Sequence, residues 1–294
     1  MSIDLARVRA DTPGTANVVH LNNAGAALPP QPVLQAVQQH LEREAAIGGY
    51  EAAAEAAGKI ESVYGSIARL INAAPAEIAV VENATRAWDM AFYAFRFSPG
   101  DRILTAQAEY ASNYLAFLQV ARRTGAVVEV VPNDNSGALD PHSLERMIDK
   151  RVKLIAITHV PTNGGLVNPA EAVGRIARAH GIPFLLDACQ SVGQMPVDVE
   201  AIGCDVLSAT GRKFLRGPRG TGFLYVRKSL LDQLEPPLID LHSADWTGAD
   251  TYEFRPDARR FENWECFVAG KIGLGIAAEY AMALGLDEIR ARAW

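Results

Sequence analysis

The segment GCDVLSATGRKFLRGPRGTGFLYV, residues 203–226, places a lysine between two strand-forming runs. Both runs, DVLSAT (205–210) and TGFLYV (221–226), are apolar enough for strands covered on two faces. Lys213 lies in the connection between them, and three arginines stand close to it: Arg212, Arg216 and Arg219. Neighbouring positive charges disfavour the ammonium form of a lysine. The segment therefore indicates a nucleophilic amine that could form a Schiff base with an aldehyde.

The rest of the chain repeats this pattern of short apolar runs. After a helical region of about residues 30–72, helical segments alternate with seven apolar runs: EIAVVEN, DRILTAQ, AVVEVVP, KLIAITHV, IPFLLDA, DVLSAT and TGFLYV. Such alternation predicts an α/β fold with a mostly parallel seven-stranded sheet, covered by helices on both faces. Ligands of these sheets bind beyond the carboxyl ends of the strands.

Composition narrows the range of partners. The formal net charge is −6 and no run is rich in Lys or Arg, so neither nucleic acid nor an anionic membrane is an expected partner. No apolar stretch has the length of a membrane span, and the start MSIDLARVRADTPG lacks the apolar core of a secretory signal. We therefore expect a cytoplasmic protein that binds a small molecule.

The cysteine and histidine patterns give no support for a metal site. Cys189, Cys204 and Cys266 lack CxxC spacing, and no HExxH occurs, so no metal is predicted and each cysteine is expected to be a small buried residue. No GxGxxG follows an early strand and no GxxxxGK[ST] occurs. These absences disfavour a dinucleotide-dependent oxidoreductase and a nucleotide hydrolase.

Two further places carry polar groups at predicted strand ends. Asp187 follows the apolar run IPFLL, with Gln190 just beyond it. The carboxylate either caps the next turn or meets a cationic group of a ligand. In VVENATRAWDM a strand gives way to a helix, where backbone N–H groups and the Thr85 hydroxyl could bind a phosphate. Together with Lys213, these groups are what pyridoxal 5'-phosphate requires.

From VHLNNAGAALPP to FVAGKIGLGIAAEYA, the sequence resembles the class V aminotransferase family of pyridoxal phosphate enzymes. LDACQSVGQMPVDV and TGRKFLRGPRGTGFLYV carry most of this likeness. The family has fold type I and includes cysteine desulfurases, selenocysteine lyases and isopenicillin N epimerase-like proteins. The resemblance implies that pyridoxal 5'-phosphate is the cofactor, that an amino acid is the substrate and that the enzyme is a homodimer.

The resemblance also implies roles for individual residues. Lys213 would be the catalytic lysine that binds the cofactor covalently, Asp187 the partner of its ring nitrogen, and Gln190 a neighbour of its phenolic oxygen. The remaining implied cofactor contacts are Ala84, Thr85 and Thr210 at the phosphate, Tyr110 stacked on the ring, and Thr162 or Asn163 beside it. The substrate carboxylate would lie near the loop Asn22–Gly25, with Asn23, Ala24, Gly25 and Arg212 as substrate-binding candidates.

The likeness further implies a division of the chain. Residues 1–25 would form an N-terminal arm, 26–265 the cofactor-binding large domain, and 266–294 a long helix leading to a small C-terminal domain that is absent from this sequence. Relatives place a His before the lysine, where this chain has Arg212, and many place a Thr where this chain has Glu265. Trp264 and Glu265 would lie near the cofactor of a partner subunit.

Several reactions are compatible with this set of residues. The resemblance favours β-elimination at a carbon–sulfur bond, as in a C–S lyase or cysteine desulfurase. The alternatives are a class V aminotransferase, an epimerase, and a non-catalytic remnant that cannot close over a substrate.

Overall fold

The computed structural model describes residues 3–294. Its main sheet has seven strands: β1 (Ile78–Val81), β2 (Arg102–Ala106), β3 (Val127–Val131), β4 (Val152–Thr158), β5 (Phe184–Asp187), β6 (Val206–Thr210) and β7 (Gly222–Val226). The strand order is β1-β7-β6-β5-β4-β2-β3. Strand β7 is antiparallel to β1 and β6, and the other neighbouring strands are parallel. The predicted fold class and its seven strands are therefore confirmed.

Helices follow most strands and precede the sheet. They are α1 (Leu5–Ala10), α2 (Gln31–Ile47), α3 (Gly49–Glu55), α4 (Ala57–Ile71), α5 (Ala84–Phe92), α6 (Ala111–Thr124), α7 (Pro141–Met147), α8 (Ala170–Ala179), α9 (Val199–Ile202), α10 (Lys228–Leu231), α11 (Val268–Leu284) and α12 (Leu286–Ala293). Short 3-10 helices span Pro13–Ala16, Pro75–Glu77 and Ala258–Phe261. No helix among residues 3–294 is both long enough and apolar enough to cross a membrane.

The sheet is buried on both faces, as its continuous apolar strands predict. Along β1, Ile78 and Val80 pack into one hydrophobic cluster with α4, α8 and α11, while Ala79 and Val81 pack into another with α5 and α6. Successive side chains of a strand point to opposite faces. Both clusters therefore contribute to fixing β1 and the loop that follows it.

Two regions differ from the sequence-based expectation. Within residues 266–294 there are two helices, α11 (Val268–Leu284) and α12 (Leu286–Ala293), separated at Gly285, instead of a single long helix. A hairpin of β8 (Ala244–Gly248) and β9 (Thr251–Phe254) was not predicted. Most of its residues are exposed, so it lacks the apolar runs that reveal the main strands. The proposed division into domains remains a prediction.

The loop after β5 touches the loop after β6 backbone to backbone. Gly193 has φ +91°, and a Cβ at this position would lie 2.5 Å from the Cα of Leu215. Leu215 is two residues beyond Lys213, so a glycine at 193 allows the lysine loop to approach the sheet closely.

Replacing Gly193 by alanine is expected to destabilise the fold by about 2–5 kcal/mol, because a positive φ and a backbone clash add together. The matched control is Gly181→Ala, which also has a positive φ (+65°) but no atom within 4 Å of the new Cβ. The control is expected to lose about 1–2 kcal/mol. Urea unfolding of both variants measures the difference, and equal losses would contradict the close contact.

Candidate functional site

A pocket of about 500 Å³ opens at the carboxyl ends of β1, β4, β5 and β6. The residues that line it are Glu82, Asn83, Ala84, Thr85, Tyr110, Asn113, Thr158, Thr162, Asp187, Cys189, Gln190, Arg212, Lys213, Arg219 and Gly220. Thr158 and Asp187, the last residues of β4 and β5, are paired, and Asp187 is paired with Ser208, two residues before the end of β6. The pocket therefore gathers most of the site residues that the sequence predicted.

Asp187 ends β5 and is only 4% exposed. Its Oδ2 accepts a hydrogen bond from Asn113 Nδ2 at 2.9 Å, and its Oδ1 accepts one from the backbone N–H of Cys189 at 2.9 Å. Burial raises the pKa of Asp187, whereas these two hydrogen bonds and nearby Lys213 act in the opposite direction. The carboxylate keeps acceptor capacity for a ligand, because each oxygen has a further lone pair.

Lys213 lies on the same wall and is 7% exposed. Its Nζ is 5.9 Å from the centroid of the Tyr110 ring. Within residues 3–294 it forms no ion pair with an Asp or Glu, so its Nζ is more than 4.0 Å from the oxygens of Asp187. The three arginines near it in sequence differ in placement. Arg212 and Arg219 line the pocket, whereas Arg216 donates to the Leu28 carbonyl.

The start of α5 supplies the backbone donors predicted for a phosphate. Asn83 caps the helix by accepting from the backbone N–H of Arg86 at 2.9 Å. Ala84 and Thr85, the first residues of the helix, line the pocket, and their N–H groups cannot bond within the helix. A helix start of this kind attracts anions.

Gln190 connects the pocket to the N-terminal segment. Its Nε2 donates to the Ala24 carbonyl at 3.2 Å and to the Thr162 hydroxyl at 3.5 Å. Its Oε1 is buried and has no hydrogen-bond partner within residues 3–294. A polar atom buried without a partner is costly, so this oxygen is suited to a ligand donor.

Other predicted residues do not lie on the pocket wall. Thr210 is buried, and its hydroxyl donates to the Thr221 carbonyl while accepting from Arg212. Asn163 is exposed. Asn23 lines a separate, mostly apolar cavity of about 290 Å³, and Gly25 donates to Asn22. The roles proposed for these residues remain predictions.

The cysteine expectations were partly wrong. Cys204 is fully buried, as predicted, but Cys266 is exposed. Cys189 lines the pocket, where burial raises the pKa of its thiol to about 12. Within residues 3–294, no three His, Cys, Asp or Glu side chains come together in a way that could hold a metal ion.

Sequence reasoning missed a carboxylate behind the pocket. Glu109 accepts hydrogen bonds from Asn113 Nδ2 at 2.9 Å and from the backbone N–H groups of Thr158 at 3.0 Å and Tyr110 at 2.8 Å, as well as from the Thr158 hydroxyl. Burial raises its pKa to about 7, although the hydrogen bonds act against that shift. Glu109 and Asn113 are four residues apart in AEYASN, but Glu109 lies just before α6, so helical spacing alone does not predict their contact.

Comparison with known proteins agrees with this geometry. The family model described as aminotransferase class-V matches residues 19–293. A probable cysteine desulfurase of Methanothermobacter thermautotrophicus is 33% identical over 286 residues, which make up 96% of this chain and 71% of that relative.

Solved structures of cysteine desulfurases also match this chain over nearly its whole length. The apo structure of a cysteine desulfurase from Thermococcus onnurineus NA1 matches with a TM-score of 0.88 at 31% identity, covering 98% of this chain and 72% of the other. A cysteine desulfurase from Escherichia coli matches with a TM-score of 0.88 at 26% identity, covering 98% and 74%.

The raised pKa of Glu109 predicts a pH-dependent stability. Between its ordinary pKa of 4.5 and about 7, the folded chain binds more protons at this site than the unfolded chain does. The stabilisation from this group is therefore fully present below pH 4.5 and is lost as the pH rises towards 7 and beyond. Glu109→Gln lacks this titration, so the wild type is expected to lose stability relative to the variant between pH 5 and about 8.

Urea unfolding of the cofactor-free chains at several pH values measures this difference. Glu42→Gln, which changes an exposed glutamate on α2, is the matched control. A free-energy difference between Glu109→Gln and the wild type that stays constant over this pH range would contradict the prediction.

Proposed function

We propose that this chain, which belongs to the class V aminotransferase family, is a pyridoxal 5'-phosphate-dependent enzyme that cleaves a carbon–sulfur bond of an amino acid by β-elimination. The observation that carries the proposal is the placement of Lys213 and Asp187. Both are buried on the wall of one pocket, and within residues 3–294 neither forms an ion pair. An amine and a carboxylate arranged in this way are suited to the two ends of a pyridine ring with an aldehyde substituent.

The residues present fit this cofactor. Lys213 Nζ would bind its aldehyde carbon and Asp187 its ring nitrogen, while the unpartnered Oε1 of Gln190 would accept from a polar ring substituent. The start of α5 at Ala84 and Thr85 would hold its phosphate. Tyr110 is 41% exposed at the pocket, so its ring is free to stack against a planar ligand.

Lys213 and Asp187 would then have distinct roles in the reaction. When bound, the cofactor withdraws electrons from the bonds to the substrate Cα. Lys213 Nζ takes the proton from Cα and holds it while the Cβ–sulfur bond breaks and a Cα=Cβ bond forms. Asp187 stabilises positive charge at the ring nitrogen. With cysteine as the substrate, the overall reaction would convert cysteine and water into pyruvate, ammonia and hydrogen sulfide.

The pocket favours release of sulfur over its transfer to a wall cysteine. Several relatives are named as cysteine desulfurases, and they support chemistry at a carbon–sulfur bond. A thiolate is the form of cysteine that attacks sulfur. With a pKa of about 12, the Cys189 thiol stays protonated near neutral pH.

Arg212 and Arg219 supply positive charge on the wall that would hold the substrate carboxylate.

A homodimer in the cytoplasm is also part of the proposal. Trp264 is 58% exposed and Phe267 is 43% exposed beside a small cavity that shares Glu82 and Gly220 with the main pocket. Exposed aromatic side chains of this kind favour a protein contact. The three cysteines are free, which fits a reducing compartment.

Lys213→Ala is expected to abolish covalent cofactor binding. The wild type with added pyridoxal phosphate should show a visible absorption band that borohydride removes, and the variant should lack it. Turnover should fall by about 10²- to 10⁴-fold or more, because the variant loses its general base. Lys59→Ala, at an exposed position on α4, is the matched control and should keep the band. A wild-type chain that stays colourless would refute cofactor use.

The products separate β-elimination from the alternatives. With cysteine and S-substituted cysteines, we expect equal amounts of pyruvate and the released sulfur compound, and no conversion of an added keto acid into an amino acid. Cys266→Ser should release sulfide at the wild-type rate, because Cys266 does not line the main pocket. Keto-acid exchange without sulfide would support an aminotransferase, and racemised substrate would support an epimerase.

A further inference from the structure

An amide bridges the two carboxylates at the base of the pocket. Asn113, in the first turn of α6, is 2% exposed. Its Nδ2 lies 2.9 Å from Asp187 Oδ2 and 2.9 Å from Glu109 Oε1. A side-chain amide nitrogen carries two hydrogens, so it can donate to both carboxylates at once.

The orientation of this amide follows from its neighbours. Ionised carboxylates only accept hydrogen bonds. If the amide of Asn113 were turned over, its oxygen would face Asp187 and Glu109, and three acceptors would be crowded together without a hydrogen between them. The structure has the other orientation, in which the nitrogen faces both carboxylates and gives each of them a donor.

Glu109 anchors the amide from the other side. Its Oε2 accepts from the backbone N–H of Thr158 at 3.0 Å and from the Thr105 hydroxyl at 3.1 Å. Its Oε1 accepts from the backbone N–H of Tyr110 at 2.8 Å. These donors belong to β2, β4 and the start of α6, so Glu109 is fixed by the frame of the sheet. Asn113 is thereby fixed as well.

The bridge opposes the effect of burial on Asp187. Burial raises the pKa of this carboxyl, and the hydrogen bond from Asn113 is the largest influence that lowers it. A hydrogen bond to a charged group is typically stronger than one between neutral groups. Without it, the proton shared by Asp187 and a ligand nitrogen would move towards the carboxyl oxygen.

We propose that Asn113 is a positioning residue for the ring nitrogen of the cofactor: anchored by Glu109, it donates to Asp187, favours the ionised form of that carboxylate and turns its free lone pairs into the pocket. The inference rests on the proposed function, because it assumes that pyridoxal phosphate occupies the pocket. Asn113 touches no reacting atom and acts through Asp187.

Asn113→Leu tests the proposal, because it removes the amide hydrogens and keeps a side chain in the buried site. The cofactor is labelled with ¹⁵N in its ring and bound to each chain, and the ¹⁵N chemical shift reports whether the ring nitrogen is protonated. The wild type should give the shift of a pyridinium, and the variant should move towards that of an unprotonated pyridine.

A second readout uses binding alone. The carbocyclic analogue of pyridoxal phosphate, in which carbon replaces the ring nitrogen, cannot respond to Asp187. The wild type should bind pyridoxal phosphate more tightly than this analogue, and Asn113→Leu should reduce that preference by about fivefold to tenfold. A purely structural role for Asn113 would weaken the binding of both compounds equally.

The matched control is Gln119→Leu, which removes an amide from an exposed position on the same helix, where it meets Tyr93. It should leave the shift and the preference unchanged. If Asn113→Leu does not fold, as judged by circular dichroism, Asn113→Ala is measured by the same criteria. An unchanged shift in a folded Asn113 variant overturns this inference alone. A wild-type chain that binds no pyridoxal phosphate overturns both this inference and the proposed function.

Discussion

The pocket depends on keeping an amine and a carboxylate buried without letting them pair. Each ionised group removed from water costs several kcal/mol unless other groups compensate. Asp187 receives that compensation from the Asn113 amide and the Cys189 backbone, while Lys213 lies more than 4.0 Å from its oxygens. Direct pairing would satisfy both groups and close the site. The space left between them makes both available to a bound ring.

This separation is produced by the sheet and its connections. Parallel strands β5 and β6 place Asp187 and the lysine loop at the same edge. Strand β7 returns antiparallel, so the loop must turn back, and its ends are joined by bonds from Gly211 to the Thr221 carbonyl at 2.9 Å and from Gly217 to the Gly211 carbonyl at 2.7 Å. The Arg212 carbonyl also accepts from the backbone N–H of Ala27 at 2.8 Å. The lysine is thus held by the sheet and by the N-terminal segment together.

The sequence predicted what depends on local pattern and missed what depends on distant contacts. Continuous apolar runs revealed the seven strands, and Asp187 and Lys213 were recognised because each follows such a run. Asn113 and Asp187 are 74 residues apart, and their hydrogen bond exists only because the fold brings the start of α6 to the end of β5. Thr210 shows another limit of reading strand positions. It stands at a strand end, yet its hydroxyl is engaged by Thr221 and Arg212, a detail that strand position alone does not determine.

Proton transfer in the pocket follows from the same arrangement. Tyr110 lines the pocket with a phenol ring, so this wall position offers no imidazole. Glu109 titrates near neutral pH, but its oxygens accept from Asn113, Thr158 and Tyr110, which leaves it bound into the frame behind the wall. The Cys189 thiol holds its proton too tightly. In the proposed β-elimination, Lys213 Nζ would therefore be the group that takes the proton from the substrate Cα.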